Sequence, residues 1–427
     1  VHQAAAKAVF AHYMVGTVRQ EHAQKDIDDA KALGFDGFAL NIGDATQDFV
    51  SSTLSYMFPY AESVGFKLYV SMDVLLTTNG SGMGYKASSA YYQVEGKTLI
   101  STFSSGGFHD TNWTKWKTGL ADDMFFMPDF DETDGYYKAA DAWWDYWRDI
   151  FDGIFSWETD WPARKGYGGL TAGDVCVDVL PMKGAHNRSK PYMMARTGLK
   201  SILTQVKYGT NVYRQGDLNL VKRMQIILQM DPQPDYVQFI TWNDGPKSHY
   251  IGNLWVEQNN DTQPWFYANQ EFWPHKAWQP LVASFIDAYK NGKKPTEMAP
   301  QSGQVVGAMW CKTILVDSVD CGYESAVQFD EKPDGLDNGA DDVWWSIILS
   351  PDAGTGWKYL VSGEEDHENA LSPGFNWGSS AGKVAGAQRL QVLNPSGDVV
   401  MSATGGLYVD TGCPNLIYNS NYQVIGL

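Results

Sequence analysis

The strongest constraint on this chain is a theme repeated through its first part: a short apolar strand, a loop, then a helical stretch. The candidate strands are Ala8–Val15, Gly37–Asn41, Lys67–Asp73, Thr98–Phe103, Met124–Asp129, Gly153–Trp157, Pro191–Ala195 and Tyr236–Asp244. Their early starts lie roughly thirty residues apart, which is the spacing a βα unit needs. Glu21–Leu33 has helical periodicity and stops at Gly34. Asp48–Val64, Asp141–Phe151 and Leu218–Met230 have the same character. Eight such units predict a (β/α)8 TIM-type barrel rather than an open doubly wound sheet. No GxGxxG or Walker motif follows any strand, which removes the usual nucleotide-binding chemistries. A helix over Gln279–Tyr289 closes the barrel, and the Asn291-Gly-Lys-Lys-Pro-Thr run is a linker. The catalytic barrel is thus expected over residues 1–292.

From about residue 304 the pattern changes. Val305–Trp310, Thr313–Asp317, Val343–Leu349, Lys358–Ser362, Gly386–Val392 and Val399–Thr404 are short strand-like runs separated by Gly, Asp and Pro. They predict a C-terminal β-sandwich domain over 304–427. This part holds 5 basic and 16 acidic residues. The acidic run Asp330–Asp342 lacks the spacing of an EF-hand, so it is expected to be a solvated turn rather than a calcium loop.

The formal net charge of −18 argues against nucleic acid and against anionic membrane surfaces as partners. No apolar run is long enough to span a bilayer. The chain carries 17 Trp, 23 Tyr and 19 Phe. Part of that aromatic content fits a cleft that stacks against flat apolar faces, and sugar rings present such faces. The start Val1-His2-Gln3 has the look of a mature N-terminus left by signal-peptide removal, although an arbitrarily chosen start would look the same. Sequons at Asn79, Asn112, Asn187 and Asn260 agree with a secreted glycoprotein. The four cysteines, Cys176, Cys311, Cys321 and Cys413, have no zinc-type spacing. Cys311 and Cys321 are close enough to pair, with Cys413 in the same region, and Cys176 is expected to be a buried thiol. No metal or cofactor is required, and nothing points to an obligate partner, so a monomer is expected.

In a barrel of this type the chemistry sits where strands end. Those positions hold His12 and Tyr13, Asn41 and Asp44, Asp73, Phe103, Asp129, Trp157, Arg196, and Trp242-Asn243-Asp244. Asp131, Glu132, Glu158 and Asp160 are expected to be ordinary loop charges, and His12 and His249 are by type more often structural. No Ser-His-Asp order, nucleophile elbow or HExxH motif appears. Carboxylates and Trp at a barrel mouth fit glycoside hydrolysis, which needs one carboxyl as acid and another as base or nucleophile.

The segment Thr241-Trp-Asn-Asp-Gly-Pro-Lys-Ser-His-Tyr-Ile-Gly252 resembles the signature of fungal α-1,3-glucanases, the mutanases of glycoside hydrolase family 71. Val9-Phe-Ala-His-Tyr-Met-Val-Gly16, Asp26-Ile-Asp-Asp-Ala, Gly34-Phe-Asp-Gly-Phe-Ala-Leu-Asn-Ile-Gly43 and Leu68-Tyr-Val-Ser-Met-Asp73 match as well. So do Ser101-Thr-Phe103, Phe155-Ser-Trp157 and Asn211-Val-Tyr-Arg214, in order through the whole barrel. The resemblance implies a secreted enzyme that cleaves α-1,3-glucan of fungal cell walls with inversion. It carries Asp73 and Asp244 over as functional acids. The sugar-binding set expected on this basis is His12, Tyr13, Asn41, Trp157, Arg214, Trp242, Asn243, His249 and Tyr250.

One departure matters. Where the family pattern places a Glu, three residues past the Asp, this chain has Lys247. Lysine, with a reference pKa of about 10.4, holds its proton too tightly to donate it well at mildly acidic pH. An ammonium beside a carboxylate also weakens that carboxylate as a base. Met194-Ala-Arg-Thr-Gly-Leu-Lys200 departs too, placing Arg196 where the family tends to have a Ser-Pro-type loop. The expected activity is inverting α-1,3-glucan hydrolysis. The alternative is a glucan-binding form that does not cut.

Overall fold

The structure is a computed structural model of the 427-residue chain. It describes residues 7–73, 84–103, 113, 117, 124–130, 133–157, 172–197, 203–205, 210–214, 216–258, 268–317, 332–362, 368–380, 386–407, 409, 418–419 and 421–427. Asn79, Asn112, Asn260, Asp131, Glu132, Glu158, Asp160, Cys321 and Cys413 lie outside the described residues, as does the side chain of Arg196.

The chain divides into two compact units, each built from separated segments. The first comprises residues 1–160, 174–196 and 232–242. Its centre is a mixed α/β assembly around strands β1 Ala8–Met14, β2 Gly37–Ile42, β3 Lys67–Asp73, β4 Lys97–Phe103, β5 Met124–Met127, β6 Ile154–Ser156, β7 Tyr192–Thr197 and β8 Tyr236–Ile240. The sequence spacing anticipated all eight positions. Parallel pairs join β1 to β2, β2 to β3, β3 to β4 and β4 to β5. On the other side β1 pairs in parallel with β8, which neighbours β7, and β7 pairs in parallel with β6. A parallel bridge between Asp129 and Phe155 links the chain just after β5 to β6, so the sheet curls round on itself. The short strand Gln93–Val94 adds antiparallel to β4.

The helices between strands follow from their patterns. Helix α1, Gln20–Ala32, buries Ala23, Asp26, Ile27 and Ala30 at helical spacing. It ends at Gly34, whose φ of 91° only glycine adopts freely, and Phe35 N donates back to Ala30 O at 3.1 Å. Helix α2, Asp48–Val64, ends the same way, at Gly65, with Phe66 N donating to Ala61 O at 2.8 Å. Gly37 is needed for a different reason: a Cβ there would lie 2.3 Å from Lys67 O, so β2 and β3 approach too closely for any side chain.

The second unit comprises residues 161–173, 197–231 and 243–427. It contains a hairpin of Leu203–Gln205 with Thr210–Val212, helix α3 Asn219–Gln229 and helix α4 Gln279–Lys290. Two four-stranded antiparallel sheets follow. One runs Gly374–Ser380, Val343–Leu349, Val305–Lys312, Tyr422–Gly426; the other runs Asn369–Ala370, Lys358–Val361, Arg389–Leu393, Val399–Thr404. Buried side chains of both sheets, among them Met309, Ile347, Leu390 and Val392, form a single apolar cluster.

Four expectations are corrected here. Thr313–Asp317 is not a strand: Ile314 makes only an isolated bridge, and Val316 N donates to both oxygens of the Asp341 carboxylate, at 2.9 and 3.1 Å, rather than to a neighbouring strand. Asp341 is accordingly no solvated charge. Its side chain is 4% exposed and pairs with Lys312 at 3.2 Å. Cys176 is exposed, because it opens the helix Cys176–His186 on its outer side. Cys311 is a free thiol that points into the apolar cluster of the tail, so it makes no bridge to Cys321. No described helix is long and apolar enough to cross a membrane.

Candidate active site

In a parallel sheet, residues paired in register share a face. His12 pairs with Ala39 and Met14 with Asn41; Asn41 pairs with Ser71, and Asp73 with Phe103. Stepping by two along each strand places His12, Asn41, Asp73 and Phe103 on one face. Gln238 belongs to it as well, through its pairing with Phe10. The side chains there are joined. The Tyr69 hydroxyl donates to Gln238 Oε1, and Gln238 Nε2 donates to His12 Nδ1 at 3.2 Å. An amide nitrogen only donates, so His12 Nδ1 is the acceptor and Nε2 of the neutral ring carries the proton. The His12 ring meets Trp157 edge-on at 4.6 Å, and Trp157 meets Phe103 at 4.5 Å.

Two expected sugar-binding residues lie elsewhere in this unit. Tyr13 follows His12 and therefore points the opposite way. Its hydroxyl donates to the buried Asp26 of α1 at 3.0 Å, and its ring packs on Phe38. Trp242 also packs against Phe38 and against Phe35. Gln238 and Tyr69 were missed by sequence reasoning. The available signal was a lone polar residue inside the otherwise apolar strand Tyr236–Ile240.

The second unit carries the other candidates. A 3-10 turn over Gly245–Lys247, with Pro246 in it, starts directly after Asp244 and reverses the chain. That reversal brings Lys247 Nζ to 3.5 Å and His249 Nε2 to 3.8 Å from Asp244 Oδ2. The Asp244 side chain is 4% exposed and that of Lys247 20%. Where the expected acid–base pair needs two carboxyls, this turn holds a carboxylate and an ammonium. Asn243 Nδ2 lies 3.5 Å from Gln258 Oε1. The strand Leu203–Gln205 packs against the turn, and Arg214 follows the hairpin of which that strand is part.

Tyr250 is fully buried. Its hydroxyl donates to Trp273 O and accepts from Asn421 Nδ2 at 3.2 Å, while its ring stacks on His275 at 4.0 Å and 3°. Burial pushes the His275 imidazole down to about 4 from 6.5, against the pull of the Tyr422 and Tyr250 carbonyls. The unfolded chain therefore takes up this proton at higher pH than the folded one. Stability from this group is present above pH 6.5 and is lost as pH falls towards 4, by about 3 kcal/mol. Urea unfolding of the chain and of His275→Gln from pH 7 to pH 4 checks this: the variant should show the shallower fall. Equal slopes would remove His275 as the cause.

Among the described residues, no group of three or more His, Cys, Asp or Glu is placed to hold a metal ion.

The fold resembles that of a solved carbohydrate-cleaving enzyme, a GH99 endo-alpha-mannosidase of Bacteroides thetaiotaomicron, with a TM-score of 0.50 at 11% identity, covering 66% of this chain and 98% of that one. At that identity the likeness speaks for the fold alone. The sequence profile of Glycosyl hydrolase family 71 matches residues 5–427. The chain belongs to that family and is a glycoside hydrolase by membership. A mutanase of Penicillium rubens is 27% identical over 438 residues, covering 98% of this chain and 88% of the relative. A glucan endo-1,3-alpha-glucosidase of Schizosaccharomyces pombe is 26% identical over 308 residues, covering 67% of this chain and 66% of the relative. An ascus wall endo-1,3-alpha-glucanase of the same yeast is 28% identical over 269 residues, with 58% of each covered.

Proposed function

We propose that this chain binds α-1,3-glucan of fungal cell walls and is built to hydrolyse its α-1,3-glucosidic bonds with inversion. The observation that carries the reading is the family match along residues 5–427, supported by relatives named for this activity. The parallel strand order and the Asp129–Phe155 bridge support a closed (β/α)8 barrel. The shared apolar cluster of the two tail sheets supports a β-sandwich. In functional terms the barrel occupies 1–292 and the sandwich 304–427.

Asp244 activates the water that attacks the anomeric carbon. Position 247 belongs to the acid that protonates the leaving glycosidic oxygen, a role Lys247 fills poorly. Asp73 positions the water or stabilises developing charge. His12, Asn41, Trp157, Arg214, Asn243 and His249 contact the sugar. The placements of Tyr13, Trp242 and Tyr250 support a role in holding the residues that do. The protein is a secreted monomer, glycosylated at sites that include Asn187, which is exposed at the end of its helix.

Asp244→Asn, made in a Lys247→Glu background, should lower hydrolysis by about a hundredfold to ten-thousandfold. Binding of α-1,3-linked oligosaccharides should persist. NMR of the first product formed should show the β-anomer; the α-anomer appearing first would overturn inversion. Hydrolysis unchanged by Asp244→Asn would remove that residue as the base. A second reading, a glucan-binding form that does not cut, is favoured by the Lys247–Asp244 contact.

A further inference from the structure

Two stretches of the second unit carry proposed site residues: residues 213–214 and 216–217, with Arg214, and residues 243–250, with Asp244, Lys247 and His249. Each loop contains a non-glycine residue at positive φ, Asp217 at 29° and Ser248 at 55°. Such backbone persists only where its surroundings hold it.

Much of the holding is done by two consecutive residues near the end of the sequence, Asn421 and Tyr422, both fully buried. The Tyr422 hydroxyl donates to Asp217 Oδ1 at 3.2 Å and lies 2.9 Å from the Tyr213 hydroxyl. The Tyr213 hydroxyl also lies 3.4 Å from Asp217 Oδ1, so the two phenols and the carboxylate form one closed hydrogen-bonded set in which Tyr422 makes the shorter contact to Asp217. Burial holds both phenols well above their usual pKa, so neither proton is lost. Trp310 Nε1 donates to Asp217 O at 2.8 Å, and Asp334 O accepts from Tyr213 N at 2.8 Å. The apolar part of Tyr213 packs with Ile314, Val316, Leu336 and Tyr418 of the tail. On the other loop, Asn421 Nδ2 donates to the Tyr250 hydroxyl. The stacked His275 spans from Tyr250 O, at 3.1 Å, to Tyr422 O, at 3.2 Å.

We infer that Asn421 and Tyr422 are positioning residues for the reaction: Tyr422 fixes the loop that presents Arg214, and Asn421 fixes the loop that carries Asp244 to His249. The β-rich tail is then a working part of the catalytic apparatus rather than an appended binding module. This rests on the site assignment proposed above.

The test uses the full chain in a Lys247→Glu background, with Tyr422→Phe, Asn421→Leu and Val392→Ala. Val392 lies in the tail cluster. It serves as the control for stability lost without disturbing either loop. At a temperature where every variant is folded, Tyr422→Phe and Asn421→Leu should lower kcat/KM by about ten- to a hundredfold. Val392→Ala should lower the melting temperature and leave kcat/KM unchanged. Hydrogen exchange provides a readout independent of activity. Tyr422→Phe should speed exchange at residues 213, 214, 216 and 217, and Asn421→Leu in 243–250. The inference is overturned if exchange in those loops is unchanged, or if Val392→Ala lowers kcat/KM as far as the other two. If the parent neither binds nor cleaves α-1,3-glucan while exchange rises as expected, the assigned activity fails and the clamp stands.

Discussion

Replacing Lys247 with Glu should raise the release of reducing ends from insoluble α-1,3-glucan by about a hundredfold to ten-thousandfold, the usual contribution of a positioned general acid. The side chain now at 247 sits 3.5 Å from the Asp244 carboxylate, with both groups largely out of water. At such burial the attraction is screened far less than between surface charges. The ammonium is thus tied to the group proposed as the base, and it is the wrong chemical type to give up a proton in mild acid. A Glu reverses both effects. The negative charge of Asp244 in the same site raises the pKa of a Glu at 247, which favours keeping it protonated, as an acid must be. Equal rates from the two chains, measured side by side, would mean that the acid sits elsewhere.

Asp341→Ala should destabilise the second unit by about 3–5 kcal/mol, the cost of leaving one member of a buried ion pair alone. Lys312 and Asp341 are 2% and 4% exposed. Burial pulls the Lys312 pKa down, and the carboxylates Asp341, Asp217 and Asp342 oppose that pull. The lysine also lies 5.5 Å over the Tyr213 ring. Removing Asp341 takes away its closest counter-charge and the acceptor of Val316 N together. Adding Lys312→Met should recover much of the loss, since apolar replacement of a whole buried pair is often near neutral. Chemical denaturation of both variants measures this; a loss below about 1 kcal/mol in the single variant would show the pair to be well solvated.

The fold of the first unit was legible in the sequence because it depends on local periodicity. The alternation of apolar strands with helices such as Gln20–Ala32, stopped at Gly34, needs no knowledge of distant contacts. The site was legible only as positions. Adjacent residues on a strand face opposite ways, so His12 and Tyr13 look equally eligible until register assigns each a side. The tail was harder. Gly374–Ser380 has neither alternation nor a run of β-formers, and it is a strand because Val343–Leu349 pairs with it. Thr313–Asp317 is apolar enough for a strand, yet Ile314 and Val316 serve a small cluster with Tyr213, Leu336 and Tyr418. Asp341 was misjudged because a run of acids suggests solvent. Its partner, Lys312, ends a strand that otherwise reads as core, so nothing local announces the pair.

The antiparallel pairing of Val305–Lys312 with Tyr422–Gly426 has a bearing on how the protein is made. Residues 313–421 must leave the ribosome before the second strand exists. At about 5–20 residues per second, that interval is on the order of ten seconds. Until then one side of Val-Val-Gly-Ala-Met-Trp-Cys-Lys presents unpaired amides and carbonyls, an invitation to strands of other nascent chains. High-level expression should therefore be limited by aggregation at this stage, and a chaperone that covers the waiting strand during synthesis should raise the soluble yield.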